Sequence, residues 1–184
     1  MTEVMITARL ILRALELRDA EAIETLAGDK EVADTTLGIP HPYPAGSAPA
    51  FIRARREAAA GGDGYSFAVT LDSDGAFIGI VGLHINKSHR TAELAYWIGK
   101  PYWGAGYGTE AASRVVEFAF EELKLNRVFA AAMTRNPASY RVMEKIGMKH
   151  EGVLRQHIRK GEGYEDLRYY GLLQSDFRRP EGRS

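Results

Sequence analysis

Three glycines within five residues, placed between an apolar segment and an amphipathic stretch, constrain this chain more than any other feature. They are Gly104, Gly106 and Gly108, and they follow the strand-like segment Leu94–Ile98. Glycine lets the backbone turn tightly and approach a ligand closely. The first amides of a helix have no acceptor within the helix, and the helix dipole favours an anion beside them. The pattern therefore predicts a strand, a turn and a helix start that cradle a phosphate-like anion. A flexible strand-to-helix turn without a ligand is the alternative.

Composition limits the class of protein. The chain has 184 residues, of which 45% are hydrophobic, which suits one domain with a packed core. Its 24 basic and 24 acidic residues give a net charge of zero, so the basic excess of a dedicated nucleic-acid binder is absent. The densest basic cluster, Arg53, Arg55 and Arg56, is interpreted as a solvated helix face or, alternatively, as a weak patch for an anionic ligand.

The chain contains no cysteine, which excludes disulfides, thiolate nucleophiles and cysteine zinc sites. Its five histidines show no pairing four residues apart, so we expect no metal site. No apolar run is long enough for a membrane span, and the first residues lack a signal-peptide pattern. These observations predict a cytoplasmic protein with neither a membrane nor a nucleic acid as partner.

Hydrophobic periodicity predicts a mixed α/β sheet in the order β-α-α-βββ-α-β-α-ββ. The region Asp34–Pro49 carries four prolines and two glycines, so it is predicted to be a long irregular loop with a functional role. The predicted helices cover residues 19–28, 49–60, about 107–123 and 137–146. The predicted strands are Ile6–Leu15, Tyr65–Leu71, Phe77–Ile85, Ala92–Ile98, Arg127–Met133, Val153–Arg159 and Tyr164–Leu173.

A second motif follows the predicted strand Arg127–Met133. Asn136 followed by proline is typical of a helix N-cap, and Gly147 fits the left-handed residue that ends a helix. Ser139 lies three residues after Asn136 and so projects from the same helix face, with Met143 one turn further on. Asn136 is either helix punctuation alone or a cap that also meets a ligand at the edge of the sheet.

Taken together, these motifs resemble the GNAT superfamily of acyl-CoA-dependent N-acetyltransferases, and most closely its ribosomal-protein N-acetyltransferase branch of the RimJ/RimL type. The resemblance covers almost the whole chain, and the order and spacing of its pieces make it specific. The pieces that carry it are Thr7–Arg13, Ile39–Tyr43, Glu93–Ile98, Tyr102–Ala111, Asn136–Ser139 and Glu144–Met148.

The resemblance implies one N-acetyltransferase domain over residues 1–177 and a polar tail over residues 178–184. The fold it implies is a mixed, mostly antiparallel sheet of about seven strands flanked by about four helices, with strands 4 and 5 splayed apart. Acetyl-CoA is the implied co-substrate, without a metal. Trp103 stands where many relatives have Gln or Arg, which leaves backbone amides as the phosphate donors. The implied CoA-binding residues are Trp97, Ile98, Trp103, Gly104, Ala105, Gly106, Tyr107, Gly108, Thr109 and Asn136.

In this family the amine attacks the acetyl thioester directly. A tyrosine that serves many relatives as general acid is replaced here by Met143, and Ser139 occupies the position assigned that role in the ribosomal-protein branch. The branch's candidate general base, a glutamate, is replaced by Ile158. Glu93 is the remaining candidate, acting through water, with a surface or cross-strand ion pair as its alternative role.

The implied acceptor is a primary amine on a protein N-terminus, an amino acid or a small molecule. An α-amine has a pKa of about 7.7–8.0 and a lysine amine one of about 10.4, so a weakly basic acceptor tolerates the missing glutamate best. A homodimer is a further expectation. A catalytically silent acyl-CoA-binding or sensing module is the alternative function. A nucleotide-binding domain would require a lysine or an acid that the glycine run lacks at the expected spacing.

Overall fold

The structure, a computed structural model, describes residues 4–178, and within them eight strands form one mixed sheet in the order β1-β2-β3-β4-β5-β6-β8-β7. Every neighbouring pair is antiparallel except β5 and β6, which confirms the predicted mixed and mostly antiparallel α/β architecture. The strands are β1 Met5–Ile6, β2 Leu10–Ala14, β3 Gly64–Leu71, β4 Phe77–Asn86, β5 Thr91–Ile98, β6 Arg127–Met133, β7 Lys149–Lys160 and β8 Gly163–Leu173.

Five α-helices cover the two faces of the sheet. The apolar stripe predicted for the long central helix is buried, since Ala112, Val115 and Ala119 have no exposed surface. A second, smaller core lies on the opposite face, where Trp97 packs with Ile23 and Ile52. The helices are α1 Ala20–Ala27, α2 Lys30–Thr35, α3 Ala48–Gly61, α4 Tyr107–Glu121 and α5 Pro137–Lys145.

The sheet opens between β5 and β6. The two strands pair in parallel only where Thr91–Glu93 of β5 lies beside Arg127–Phe129 of β6. Beyond Glu93 they are no longer paired with each other. These are the fourth and fifth strands of the predicted order, so the predicted splay is confirmed. The gap between the strands leaves a cleft in the middle of an otherwise continuous sheet.

Two elements were not predicted, and β7 begins at Lys149 instead of Val153. The strand predicted over Ile6–Leu15 is two strands, because the Thr7 amide donates to the Leu10 carbonyl at 2.9 Å and so folds the chain back. The region predicted as a loop from residue 34 begins inside α2, which starts after the N-cap Asp29, whose side chain accepts from the Glu31 amide. Local capping and a tight turn thus give eight strands and five helices instead of seven and four.

The predicted helix punctuation is correct. The Asn136 side chain accepts a hydrogen bond from the Ser139 amide at 3.2 Å, and Gly147 follows α5 with a φ of +88°. Gly62 ends α3 in the left-handed conformation. Of the predicted polar tail only Arg178 belongs to the described residues, and the boundary at residue 177 stays a prediction. Within residues 4–178 no helix has both the length and the apolar character that a membrane crossing requires.

Candidate active site

The glycine run forms the start of α4. Gly104 and Gly106 have φ values of +79° and +83°, which L side chains rarely adopt, and Gly106 is the N-cap of the helix. Gly106 has no side chain that could accept from the first helical amides, so those of Tyr107, Gly108 and Thr109 point out of the helix without an intrahelical acceptor. This arrangement fits the pyrophosphate of a CoA molecule, because backbone donors and the helix dipole both favour an anion there.

Arg9 stabilises this helix start, a role that the sequence did not reveal. Its Nη1 donates to the Ala105 carbonyl at 2.9 Å, and its Nε and Nη2 contact Glu110 Oε2 at 2.8 and 2.7 Å. The guanidinium also lies 4.6 Å from the centre of the Tyr107 ring. The Arg9 side chain is 47% exposed, and its charge is balanced by the carboxylate of Glu110. The sequence showed only a charged residue within the segment Ile6–Leu15, which was predicted to be one strand.

Glu110 completes this arrangement from the first turn of α4. Burial alone would raise the pKa of its carboxyl group, but hydrogen bonds from Thr7 and Arg9 and the charge of Arg9 lower it overall. The ionised carboxylate therefore accepts from the Thr7 hydroxyl at 2.6 Å and from the Arg9 amide at 2.9 Å. The turn between β1 and β2 is thereby joined to the helix that carries the glycine run.

Trp103 is fixed by a hydrogen bond from its indole. Nε1 donates to the Ile98 carbonyl at 2.6 Å, although 43% of the residue is exposed. An indole offers one donor and no charge, and the Ile98 carbonyl takes that donor. Trp103 thereby ties the glycine turn to the end of β5.

The backbone groups of β5 that face the cleft follow from its pairing with β4. The Gly99 amide donates to the Ile78 carbonyl at 2.8 Å, and bonding alternates along an antiparallel pair. The backbone N–H and C=O groups of Trp97 are therefore directed towards β4, whereas those of Ile98 and Tyr96 are directed towards the cleft. Beyond Glu93 these groups have no strand partner, and apart from the Ile98 carbonyl, which accepts from Trp103, they can bind an extended ligand such as a pantetheine arm. Trp97 takes part through its side chain, which lines the cavity described next.

A cavity of about 390 Å³ lies at the cleft and extends to both faces of the sheet. Both residues predicted to be catalytic, Glu93 and Ser139, line it together with Trp97 and Met143. The glycine run does not line it, so the predicted anion cradle and the cavity lie at separate positions. An acyl-CoA requires this separation between its pyrophosphate and its thioester.

Ser139 lies beside Tyr96, which the sequence did not indicate as a site residue. The Tyr96 hydroxyl donates to the Ser139 carbonyl at 2.8 Å and lies 3.1 Å from the Ser139 hydroxyl oxygen. Burial raises the pKa of Tyr96 to about 12, against a smaller lowering by the hydrogen bond with Ser139. The phenol therefore stays protonated at neutral pH and holds the first turn of α5 against β5. In the sequence, a tyrosine within a strand does not indicate whether its hydroxyl bonds to a site residue or its ring only packs in the core.

Glu93 lies on the opposite face of the sheet from Tyr96, since side chains alternate along a strand. It pairs across the sheet with His84 on β4 and is next to Phe129 on β6. Burial, and then the negative charge of Glu93, raise the pKa of Tyr169. Among the described residues no lysine or arginine forms an ion pair with Glu93, so the alternative role as half of a cross-strand ion pair is not observed.

Both polar atoms of the Asn136 side-chain amide have hydrogen-bond partners within the protein. Its oxygen caps α5, and its Nδ2 donates to the Thr35 carbonyl at 2.9 Å. Lys160 Nζ donates to the carbonyls of Ala33 and Thr36, at 2.7 Å each. The carboxyl end of α2 is thus held by side chains from two other elements, and the following residues are positioned over the cavity.

The predicted functional loop takes part in the site, whereas the closing strand pair does not line the cavity. Leu37 and Ile39, just after α2, line it, and so do Phe51 and Arg55 of α3. His157, on β7, lies 3.3 Å from the Tyr169 hydroxyl. Among the described residues no group of three or more His, Asp or Glu side chains could hold a metal ion.

Comparison with known proteins defines the class. The family described as "Acetyltransferase (GNAT) domain" matches residues 9–149. The uncharacterized N-acetyltransferase YnaD of Bacillus subtilis is 31% identical over 93% of this chain and 97% of its own length. The "Putative ribosomal N-acetyltransferase YdaF" of the same organism is 39% identical over 56% of this chain and 57% of its own.

A solved structure agrees with both the sequence matches and the fold. Spermidine N-acetyltransferase from Vibrio cholerae, in complex with CoA and spermine, superimposes with a TM-score of 0.80 at 26% identity, covering 92% of this chain and 98% of that one. This chain therefore belongs to the GNAT family of acetyltransferases. It is an acetyl-CoA-dependent N-acetyltransferase that transfers the acetyl group to an amine.

Proposed function

We propose that acetyl-CoA and the primary amine occupy the cleft together and that the amine nitrogen attacks the thioester carbonyl directly. The carbon–nitrogen bond forms, the carbon–sulfur bond breaks, and CoA leaves as a thiolate that takes up a proton. The observation that carries this proposal is one cavity at the sheet opening that is lined by Glu93 and Ser139, with the glycine run set apart from it. The solved structure of a similar fold in complex with CoA and spermine supports binding of CoA and an amine by one such domain.

In this proposal the amides from Ala105 to Thr109 bind the pyrophosphate, and the cleft-facing groups of β5 bind the pantetheine arm. One of those backbone amides stabilises the negative charge that develops on the carbonyl oxygen. A donor in that position contributes about 2.7–4 kcal/mol to transition-state stabilisation. Asn136 contributes by fixing the first turn of α5, on which Ser139 lies, because its amide already caps the helix and bonds to Thr35.

Ser139 donates a hydrogen bond to the departing thiolate, and water supplies the proton that the thiolate takes up. The Tyr96 phenol contributes its own hydrogen to the Ser139 carbonyl, which leaves the serine hydroxyl hydrogen free to turn towards the cavity. Tyr96 is thus the positioning residue for Ser139. Glu93 accepts a proton from the attacking amine through a water molecule, because it lines the same cavity without a cationic partner among the described residues.

Replacing Ser139 with alanine tests the proposal. We expect kcat to fall about tenfold, less than the roughly 10²–10⁴-fold that general acids contribute, because Ser139 supplies a hydrogen bond and not the proton; the Kd for acetyl-CoA should be unchanged. The measurement is thiol release from acetyl-CoA with a panel of primary amines, together with calorimetric titration. Ser113→Ala, on α4 away from the cavity, is the matched control. Unchanged kcat in Ser139→Ala would remove Ser139 from the mechanism, and binding without turnover of any amine would favour the silent acyl-CoA-binding module.

A primary amine on a small molecule or a protein N-terminus is the acceptor in this proposal. Two similar proteins support these two kinds of acceptor. One is named a putative ribosomal N-acetyltransferase, and the other is a spermidine N-acetyltransferase. A cytoplasmic location, assembly as a homodimer and the absence of a nucleic-acid partner stay predictions from the sequence.

A further inference from the structure

Arg55 is the one basic residue of its cluster that lines the cavity. Arg53, Arg55 and Arg56 are all exposed on α3, but only Arg55 contributes to the cavity lining. Its guanidinium lies 5.2 Å from the centre of the Phe51 ring, which also lines the cavity. Among the described residues no carboxylate pairs with Arg55, so its hydrogen-bond donors remain available at the mouth of the site.

Arg55 and Glu93 reach the cavity from the same face of the sheet. Trp97 packs in the core that includes Ile52 of α3, and Glu93 shares the face of Trp97 because both are odd-numbered residues of β5. Tyr96 and Ser139 lie on the other side, near α5. Ser139, which contacts the thiolate in the proposed reaction, thus approaches the cleft from one face of the sheet. The residues that would contact the amine substrate, Arg55 and Glu93, approach it from the other. The half of the cavity under α3 carries one cation and one anion.

Opposite charges in one small chamber complement a zwitterion. Glu93 attracts the ammonium group that must lose its proton before attack, and Arg55 offers a planar pair of donors that matches a carboxylate. The cavity of about 390 Å³ is near the lower end of the range for ligand pockets, about 300–1,000 Å³, and the acetyl thioester takes part of that space. Leu37, Ile39 and Phe51 give the remaining wall an apolar character.

We propose that the acceptor is a small zwitterionic amine, an α-amino acid with an apolar side chain, and that Arg55 binds its carboxylate. This inference rests on the proposed acetyl transfer and deepens it by assigning the substrate class and the residue that selects it. Arg55 acts as a specificity-determining residue, whereas Arg53 and Arg56 remain a solvated helix face.

The experiment compares leucine with leucinamide as acceptors, using thiol release from acetyl-CoA by the full chain. The amide keeps the amine and the side chain but removes the negative charge, and its amine is the less basic of the two. We expect kcat/KM to be about tenfold higher for leucine, mainly through KM. Arg55→Gln should abolish that preference, whereas Arg53→Gln should retain it.

Separate outcomes bear on the two proposals. Equal or better use of leucinamide by the unmodified chain would overturn the zwitterion inference, and so would equal effects of Arg55→Gln and Arg53→Gln. A peptide amine or a polyamine acetylated in place of leucine would also overturn it while leaving acetyl transfer intact. A purely structural role for Arg55 would lower turnover of both acceptors alike and change acetyl-CoA binding. No turnover with any amine would count against the proposed function itself.

Discussion

At the scale of single residues, backbone conformation decides which glycines the anion cradle requires. Gly104 and Gly106 both have positive φ, so a side chain at either position strains the backbone by about 1–2 kcal/mol. Only Gly106 is the helix N-cap, and a methyl group there would lie 3.6 Å from Arg9 Nη2. A methyl group at Gly104 meets no heavy atom within 4 Å. A side chain at either position therefore strains the backbone, but only Gly106 directly precedes the free amides of α4.

We therefore predict that Gly106→Ala and Gly104→Ala lose similar stability, about 1–2 kcal/mol each, but that only Gly106→Ala weakens CoA binding. Urea unfolding measures the first quantity and calorimetric titration with acetyl-CoA the second. Equal CoA affinities in the two folded variants would refute the assignment of Gly106 to the cradle.

At the scale of elements, α2 and the loop after it are held over the cavity by hydrogen bonds from elsewhere in the chain. Lys160 of β7 and Asn136 of α5 donate to three carbonyls at the carboxyl end of α2, and Arg135 Nη2 donates to a fourth, that of Asp34, at 3.1 Å. A six-residue helix is too short to be stable by itself. Its position therefore depends on these donors.

We predict that Lys160→Met loosens residues 30–39 without unfolding the protein, because the part-buried carbonyls of Ala33 and Thr36 each lose a charged donor, at a local cost of about 1–3 kcal/mol. Amide hydrogen exchange should become faster in residues 30–39, and KM for the acceptor should rise more than Kd for acetyl-CoA. Lys145→Met, at the end of α5, is the control and should leave exchange in α2 unchanged. If the two variants exchange alike, Lys160 does not hold this segment.

At the scale of the whole molecule, an ion pair links β2 to the segment before α1. Arg13 Nη2 lies 2.7 Å from Asp19 Oδ1, and Asp19 is only 3% exposed. Burial alone would raise the pKa of Asp19, but hydrogen bonds from Arg13 and the Glu16 amide, together with the charges of Arg13 and Arg18, lower it overall. Its usual unfolded pKa is about 3.9.

Because the folded pKa is below the unfolded one, Asp19 stabilises the fold fully above the unfolded value and loses this contribution as the pH falls through the folded value. We predict that Asp19→Asn costs about 3 kcal/mol at pH 7 and that the difference from the unmodified chain shrinks towards pH 3. Asp72→Asn, at an exposed turn, is the control and should show neither effect. Urea unfolding between pH 3 and 7 measures both, and a difference that does not change with pH would contradict the assignment.

Ligand binding gives a second prediction for the whole molecule, since the cradle and the cleft involve both halves of the sheet. At 100 times its Kd, acetyl-CoA should stabilise the native state by about 2.7 kcal/mol, which raises Tm by about 5–10 °C in a chain of this size. Pantetheine lacks the pyrophosphate and should give a much smaller shift at the same concentration. Equal shifts from the two compounds would show that the glycine run does not bind the pyrophosphate.

Seven of the strands, four of the helices, the punctuation of the helices and the family could be predicted from the sequence alone. Asn136, Gly147 and the glycine run act through backbone geometry that a few neighbouring residues impose, so their local roles could be predicted. The short helix α2 and the break between β1 and β2 were missed because individual hydrogen bonds fix them, a side-chain cap from Asp29 in the first case and a backbone bond from Thr7 to Leu10 in the second, and hydrophobic periodicity does not record such contacts.

Only the tertiary structure decided which side chains meet. Arg9 and Glu110 are separated by about 100 positions, Tyr96 and Ser139 by 43, and no spacing rule relates either pair. Arg55 differs from Arg53 only by the face of α3 from which it projects and by what lies opposite that face. Local backbone propensities are encoded within a few residues, whereas the reaction chamber arises where the sheet opens, from side chains that distant segments bring together.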